Sequence, residues 1–217
     1  MSQRFILLGP PASGKGTQGR FLAGRLGLVF LSTGALLRSA VDAESDLGRA
    51  AAPILARHEY LPDSLMCPIM GEWLDQQRGG WVLDGFPRSL AQAEFLAERL
   101  AANGQSLTAA IVLEVPEGEL LRRVRDRVEC GDCRWSGRVA DTLAGACPNC
   151  GGPALPRADD SEAGFFGRLA EYREHVLPVI DFYQRQGLLH RLDAASDASS
   201  AERRLLELLQ ISHGPQE

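Results

Sequence analysis

"RFILLGPPASGKGTQGRFLAGRL" (residues 4–26) is the stretch on which the fold turns. The apolar run at its start reads as a short buried strand, and the segment from Lys15 to Leu26 reads as a helix. Between them lies a turn rich in glycine and proline. Gly9, four residues, then Gly14 and Lys15 fit the P-loop pattern, in which backbone N–H groups at a helix start point at phosphate oxygens and the lysine reaches the outer ones. The hydroxyl comes one place late, because Gly16 follows the lysine and Thr17 follows that. A glycine-rich loop alone is equally an ordinary tight turn. Here a strand precedes it, a helix follows it, and 22 of the 23 basic residues of the chain are arginine, with Lys15 the only lysine. A compact ammonium with three rotating donors suits phosphate, and this one stands where phosphate would lie.

Outward from the loop, strands and helices alternate. "LVFLS" (28–32) is a second strand, and Ser32 or Thr33 can cap a helix carrying Leu36, Leu37 and Val41. Helices are expected over 46–57 and 63–78, capped by Ser45 and Asp63. "WVLDG" (81–85) and "AAIVLEV" (109–115) read as buried strands, separated by a helix from Ser89 to near Gly104. A basic helix, "EGELLRRVRDR" (117–127), puts Arg123 and Arg127 one turn apart on a shared face. After a cysteine-rich segment come a long helix over 162–186 interrupted by Pro178, a strand "LLHRLD" (188–193), and a last amphipathic helix from about Ser200. Continuous apolar strands between helices predict an α/β P-loop three-layer fold with a parallel sheet covered on both faces.

The totals narrow the function classes. At 217 residues one domain with an insertion is the natural organisation, and 45% hydrophobic with 24% charged residues is ordinary globular composition. No apolar run approaches the roughly 20 residues that span a bilayer, and the chain opens directly into a strand, so no membrane role and a cytoplasmic location are expected. A net charge of −5 argues against general nucleic-acid binding. Five cysteines without a signal segment point to reduced thiols, with Cys67 a small core residue.

The other four cysteines lie in "ECGDCRWSGRVADTLAGACPNCGG" (129–152) as two CxxC pairs, Cys130/Cys133 and Cys147/Cys150. That spacing fits a tetrahedral four-cysteine zinc site, a pair of disulfides being the alternative. With four protein ligands no position stays open for water or substrate, so the metal would be structural. Gly131, Gly151 and Gly152 suit turns where backbone approaches sulfur. Some thirty residues cannot bury enough core to hold a fold, and a metal supplies the missing stability locally.

"GPPASGKGTQ" (9–18), "LSTGALLR" (31–38), "LDGFPRSLAQA" (83–93) and "PRADD" (156–160) occur in this order around the cysteine segment. Together they closely resemble the bacterial, zinc-containing long form of the adenylate kinases, over residues 4 to about 195. The resemblance implies Mg-dependent phosphoryl transfer from ATP to AMP, giving two ADP. It implies a kinase core at 1–127 and 162–217, an AMP-binding segment at 32–61 within it, and a zinc-binding lid at 128–161. Ala12, Ser13, Gly14, Lys15, Gly16 and Thr17 would wrap the ATP phosphates, joined by Arg127, Ser136, Gly137 and Ser196. Thr17 and Asp84 would stand near Mg, although Asp84 can also be read as a helix cap. AMP would meet Thr33, Arg38, the backbone at Glu59, Tyr60 and Leu61, then Gly85, Phe86, Pro87, Arg88 and Gln92. Arg88, Arg123, Arg157 and Arg168 would join Lys15 and Asp84 in catalysis, with Arg157 and Arg168 also reaching AMP. Asp159 and Asp160 would pair with arginines or hold the hinge, and Arg122 and Arg125 stay solvated.

This chain departs from its relatives at Ala12, where glycine is common and which is tolerable only at negative φ. It departs also at Ala35, where aspartate is common, and at His58 and Glu59, where glycine and lysine are. A UMP or CMP kinase is the second enzyme reading, though those relatives generally have a short lid without cysteines. A nucleic-acid-binding zinc ribbon on an ATPase core is the third, on the strength of an aromatic between arginines in "CRWSGR" (133–138). A monomer is the simplest assembly for a chain whose lid must move. Finally, Gly164 and Gly167 bracket Phe165 and Phe166 where the lid rejoins the core. Interior glycines cost a helix about 1 kcal/mol each against alanine, so a frayed first turn with phenylalanines packing only on lid closure is one expectation, and fixed core phenylalanines the other.

Overall fold

A computed structural model describes residues 2–157 and 160–211. β1 (Arg4–Leu8) leads through the glycine-rich loop into α1 (Lys15–Leu26), and β2 (Val29–Ser32) leads into α2 (Thr33–Asp42) and α3 (Asp46–Ala56). Then follow α4 (Asp63–Gln76), β3 (Trp81–Asp84), α5 (Leu90–Ala102), β4 (Ala109–Glu114) and α6 (Glu117–Arg125). The insertion contributes β5 (Arg127–Cys130), β6 (Ser136–Arg138) and β7 (Ala154–Pro156). The chain closes with α7 (Glu162–Glu171), α8 (Leu177–Arg185), β8 (Leu189–Asp193) and α9 (Ala198–Leu208).

The main sheet runs β2-β3-β1-β4-β8 with every pairing parallel. Alternation along β1 explains why its residues are apolar throughout. Ile6 and Leu8 pack with Leu83, Val112, Leu96 and Phe165 on one face, while Phe5 and Leu7 pack with Val82, Ile111, Leu22 and Leu205 on the other. Each such side chain, taken wholly out of water, contributes about 1.5–3 kcal/mol. From β1 the chain passes outward to β2 on one side, and from β3 it crosses to β4 on the other. The strand order therefore reverses beside β1, and the crevice at its carboxyl end is where such sheets bind ligands.

Between α6 and α7 stands a separate antiparallel sheet of order β6-β5-β7. Its interior is thin: Val128, Cys130, Cys147 and Ala154 are buried, whereas Val139, Leu143 and Leu155 stay exposed.

Several local expectations need correction. Asp63 does not cap α4; Pro62 occupies that position, and the Asp63 carboxylate instead accepts from the Ser89 hydroxyl at 2.9 Å and the Gln92 amide at 2.7 Å. Arg123 and Arg127 do not share a helix face, because α6 ends at Arg125 and Arg127 begins β5. The long helix is broken before Pro178 by a π turn over Tyr172–Val176, which accommodates the ring and the missing N–H. The first turn of α7 is capped: the Ser161 hydroxyl accepts from the Gly164 N–H at 3.0 Å. Phe165 is 0% exposed in the main core while Phe166 is 44% exposed, so they do not act as a pair beneath the insertion. Cys67 is only half-buried.

Candidate active site

The loop after β1 opens α1 with Gly14 at φ 96°, a left-handed residue that no side chain caps. The first N–H groups of the helix therefore face the crevice without a side-chain acceptor, the arrangement that takes an anion. Ala12 also adopts a left-handed φ of 63°, against the negative φ its side chain favours, because the loop must turn there whatever residue occupies it. Lys15 Nζ donates to the Gly9 and Pro10 carbonyls, each at 2.8 Å, folding the ammonium back over the loop. Desolvation lowers its pKa from 10.5 to about 8; Asp84 opposes this, and Arg88, Arg127 and Arg168 add to it. Such a lysine is short of negative charge. Asp84 closes β3 and is not a cap: the Ser32 hydroxyl donates to its carboxylate at 3.3 Å, and the Thr33 hydroxyl to its carbonyl at 3.3 Å.

The far wall of the crevice is built by α2, the 58–61 turn and the segment after β3. Gly85, at φ 91°, leaves no room for a Cβ, which would lie 2.4 Å from Thr33 Oγ1 and 2.7 Å from Arg88. The guanidinium of Arg88 lies 4.3 Å from the centroid of the Tyr60 ring. Arg38 and Glu59 also face the space, Glu59 pairing with Arg57 at 2.7 Å. Thr33, Leu61, Phe86 and Gln92 are buried behind this wall rather than lining it. The Gln92 amide is held at both ends, its oxygen accepting from the Arg88 N–H at 2.8 Å and its nitrogen donating to Asp63. Pro87 lines the space beside Arg88.

The inserted sheet forms the roof. Alternation along β5 turns Arg127 and Glu129 toward the crevice, and Val128 and Cys130 into the ribbon. Asp160 gathers three arginines: Arg127 Nε at 2.6 Å, Arg168 at 2.9 Å and Arg157 at 3.9 Å. Burial alone would raise its carboxyl, but the hydrogen bond and charge of Arg127, with Arg157 and Arg168, hold it below the usual range. Asp159 lies outside the described residues. Arg123 takes Glu119 at 2.7 Å and reaches the carbonyls of Ala194, Ala195 and Ser196 at 2.8–3.0 Å. The Ser196 hydroxyl itself is buried with no partner among the described residues. Ser136 and Gly137, in β6, line the same space. Arg122 and Arg125 are exposed in surface ion pairs with Glu119 and Glu162.

Thus one cleft of about 1120 Å³ is lined by Lys15 and by Arg38, Arg88, Arg123, Arg127, Arg157 and Arg168. It can hold a polyanion and neutralise charge along its length. Several of its charged residues escaped sequence reasoning, Glu129 and Arg134 above all. Glu129 accepts from Arg38 at 2.9 and 3.2 Å, and Arg134 pairs with both Glu129 and Asp42. Only their three-dimensional neighbours distinguish them from the many other charged residues of the segment.

At the tip of the roof, the sulfurs of Cys130, Cys133, Cys147 and Cys150 lie within 4.8 Å of one another, and no disulfide links them. Cys130 and Cys150 are 3.5 Å apart and Cys133 and Cys147 3.6 Å apart. A tetrahedral site with metal–sulfur bonds of about 2.3 Å requires sulfurs about 3.8 Å apart, close to the spacing of these pairs, so the four cysteines could hold a metal ion. Cys133 and Cys150 titrate as a pair: hydrogen bonds from Asn149 and the Trp135 N–H lower Cys133 to about 6, while Cys150, despite a backbone hydrogen bond from Gly152, is raised to about 12 by its bonds to Cys133 and Cys130.

Comparison with known proteins agrees with the geometry. The sequence model for "Adenylate kinase" matches residues 7–188. An adenylate kinase of Moorella thermoacetica is 39% identical over 197 residues, 88% of this chain and 91% of that one. One of Streptomyces avermitilis is 36% identical over 95% of this chain and 96% of its own. One of Syntrophotalea carbinolica is 38% identical over 95% and 98%. Likeness of that extent, joined to an anion-binding loop under an arginine-rich roof, means that the chain belongs to the adenylate kinase family of phosphotransferases.

Proposed function

We propose that this protein transfers the terminal phosphoryl group of Mg-ATP to AMP, giving two ADP, with the donor on the glycine-rich loop and the acceptor against α2 and Arg88. One observation carries the reading: Lys15 and, of the ten arginines that line the cleft among the described residues, six contributed by α2, the turn after β3, α6, β5, the segment after β7 and α7 converge on one space. Phosphoryl transfer asks chiefly for alignment and for neutralisation of charge on the transferring oxygens. Residues 12–17 would cradle the donor phosphates, with Lys15 leaving the Gly9 and Pro10 carbonyls for an outer phosphate oxygen. Arg38 and Arg88 would fork onto the acceptor phosphate, and Tyr60 beneath Arg88 would keep that guanidinium planar to it. Arg123, Arg127, Arg157 and Arg168 would close over the transferring group, and the roof would exclude water that could otherwise take the phosphoryl group. The Asp84 carboxylate and the Thr17 hydroxyl are oxygen donors of the kind Mg prefers, and the ion supplies charge neutralisation on phosphate oxygens. Held between the Arg88 N–H and Asp63 behind the wall, the Gln92 amide would fix the Arg88 backbone at the acceptor side.

For the roof the four cysteines would hold one zinc per chain as a structural ion, taking residues 128–161 as the lid. Elemental analysis of the purified protein checks this, and absence of stoichiometric metal refutes it. We further infer action as a monomer in the cytoplasm, consistent with thiols kept reduced for metal; among the described residues no helix is long and apolar enough to cross a membrane. The experiment that tests the reaction is a coupled assay of ADP formation from Mg-ATP with AMP, UMP and CMP in turn. AMP is expected to be much the best acceptor; turnover with UMP or CMP but not AMP would assign the protein to the pyrimidine branch.

A further inference from the structure

We infer that Glu129 is a resident anion at the acceptor-phosphate subsite, competing with AMP for its arginines and setting the affinity for that substrate. The inference rests on the acceptor reading of Arg38 and Arg88 given above. Glu129 projects from the middle strand of the roof into the cleft and is 7% exposed. Arg38, on α2, grips it with two donors, Nε to one oxygen at 3.2 Å and Nη2 to the other at 2.9 Å. Arg157 lies 3.8 Å from the second oxygen, and Arg134 donates to the first at 3.2 Å. A carboxylate offers about four lone-pair sites, so this set engages the group much as arginines engage a phosphate.

The geometry has two consequences. First, Arg38 cannot keep both oxygens of Glu129 and fork onto an incoming phosphate, so AMP must displace the carboxylate from Arg38. A doubly charged phosphate, meeting Arg88 as well, is the stronger partner and makes the exchange favourable. A nucleoside with no phosphate has nothing to exchange. Second, the same bonds tie the roof to α2. Arg134, also from the roof, pairs with Asp42 at the end of α2 and offers its carbonyl to Arg20 of α1 at 2.9 Å. Displaced from Arg38, Glu129 still has Arg134 beside it, in the connection between β5 and β6. The charge is therefore never stranded, and the exchange costs little.

The test is the substitution E129Q, which keeps shape and removes charge, followed by steady-state kinetics with each substrate varied in turn. The KM for AMP is expected to fall about fivefold, the scale of one ordinary hydrogen bond, because Glu129 keeps Arg134 after the exchange, while the KM for ATP stays within about twofold. A purely structural role would move both constants or neither. An unchanged KM for AMP overturns the inference, and so does a raised one, which would mean that Glu129 orients the arginines for AMP instead of occupying them. If the glutamine variant does not fold, E129D serves with the same expected direction, since its shorter side chain draws the carboxylate back from Arg38. Absence of AMP-dependent turnover in the unsubstituted protein would instead defeat the acceptor reading itself, so the two failures are distinguishable.

Discussion

Lys15 carries its charge at a cost. At neutral pH the folded chain holds a desolvated ammonium with pKa about 8, where the unfolded chain holds a solvated one near 10.5. Below about pH 8 both forms are protonated and the cost is complete. Between 8 and 10.5 the folded chain sheds its proton first, so this residue's contribution to stability becomes less unfavourable as pH rises. ATP phosphates would supply the missing counter-charge and return the pKa upward. Binding near pH 8 is therefore expected to take up protons, and ATP affinity to weaken as pH climbs past that value. Calorimetric titrations in two buffers of different ionisation heat would read the uptake; equal heats in the two buffers would contradict it. His58 is a second residue under tension. It follows α3 at φ 61°, where glycine is the usual occupant, and its Nδ1 is buried without a partner among the described residues. His58→Gly is expected to raise stability by about 1 kcal/mol, observed as a Tm higher by about 2–4 °C. A lower Tm would show that imidazole packing outweighs the backbone.

Among the elements, the start of α7 is where reading and structure differ most instructively. Two glycines marked it as weak, yet a serine cap and one buried phenylalanine secure it. A Cβ at Gly167 would meet His58 Cβ at 3.5 Å, an ordinary contact. Gly167→Ala should therefore stabilise the protein by about 0.5–1 kcal/mol with turnover unchanged. A clear change in turnover would restore the helix start as a moving part. The strands and most helices were legible because β1, β3 and β4 are apolar on both faces and α1 opens on a fixed motif. Asp63 was misread because a carboxylate at a helix start satisfies the rule for a cap, and only α5 packing alongside diverts it to Ser89 and Gln92. Arg123 and Arg127 were misread because helical spacing was carried beyond the end of α6.

At the scale of the whole molecule, two sheets of very different strength share one chain. The five-stranded sheet has two cores, whereas the three-stranded one buries little beyond Val128, Ala154 and two of its cysteines. Cys147→Ser, or treatment with a strong chelator, is expected to split thermal unfolding into an early transition of the ribbon and a later one of the core. A single transition at the original temperature would show that the cysteines hold nothing the ribbon needs. Most of the cleft's cations were legible because they lie in or beside recognisable motifs, Arg134 being an exception. Its internal anions were less so: Asp160 was expected to pair with arginines, but Glu129 has no motif and gains its meaning only when the roof lies over α2.

The distribution of basic residues also carries an experimental consequence. A protease that cuts only after lysine has a single bond to attack here, Lys15–Gly16, at the first turn of α1 inside the cleft. A cut there requires that turn to unwind and enter the enzyme's groove. Digestion would therefore yield one pair of fragments, at a rate that measures how often the first turn of α1 comes apart, and bound nucleotide would slow it.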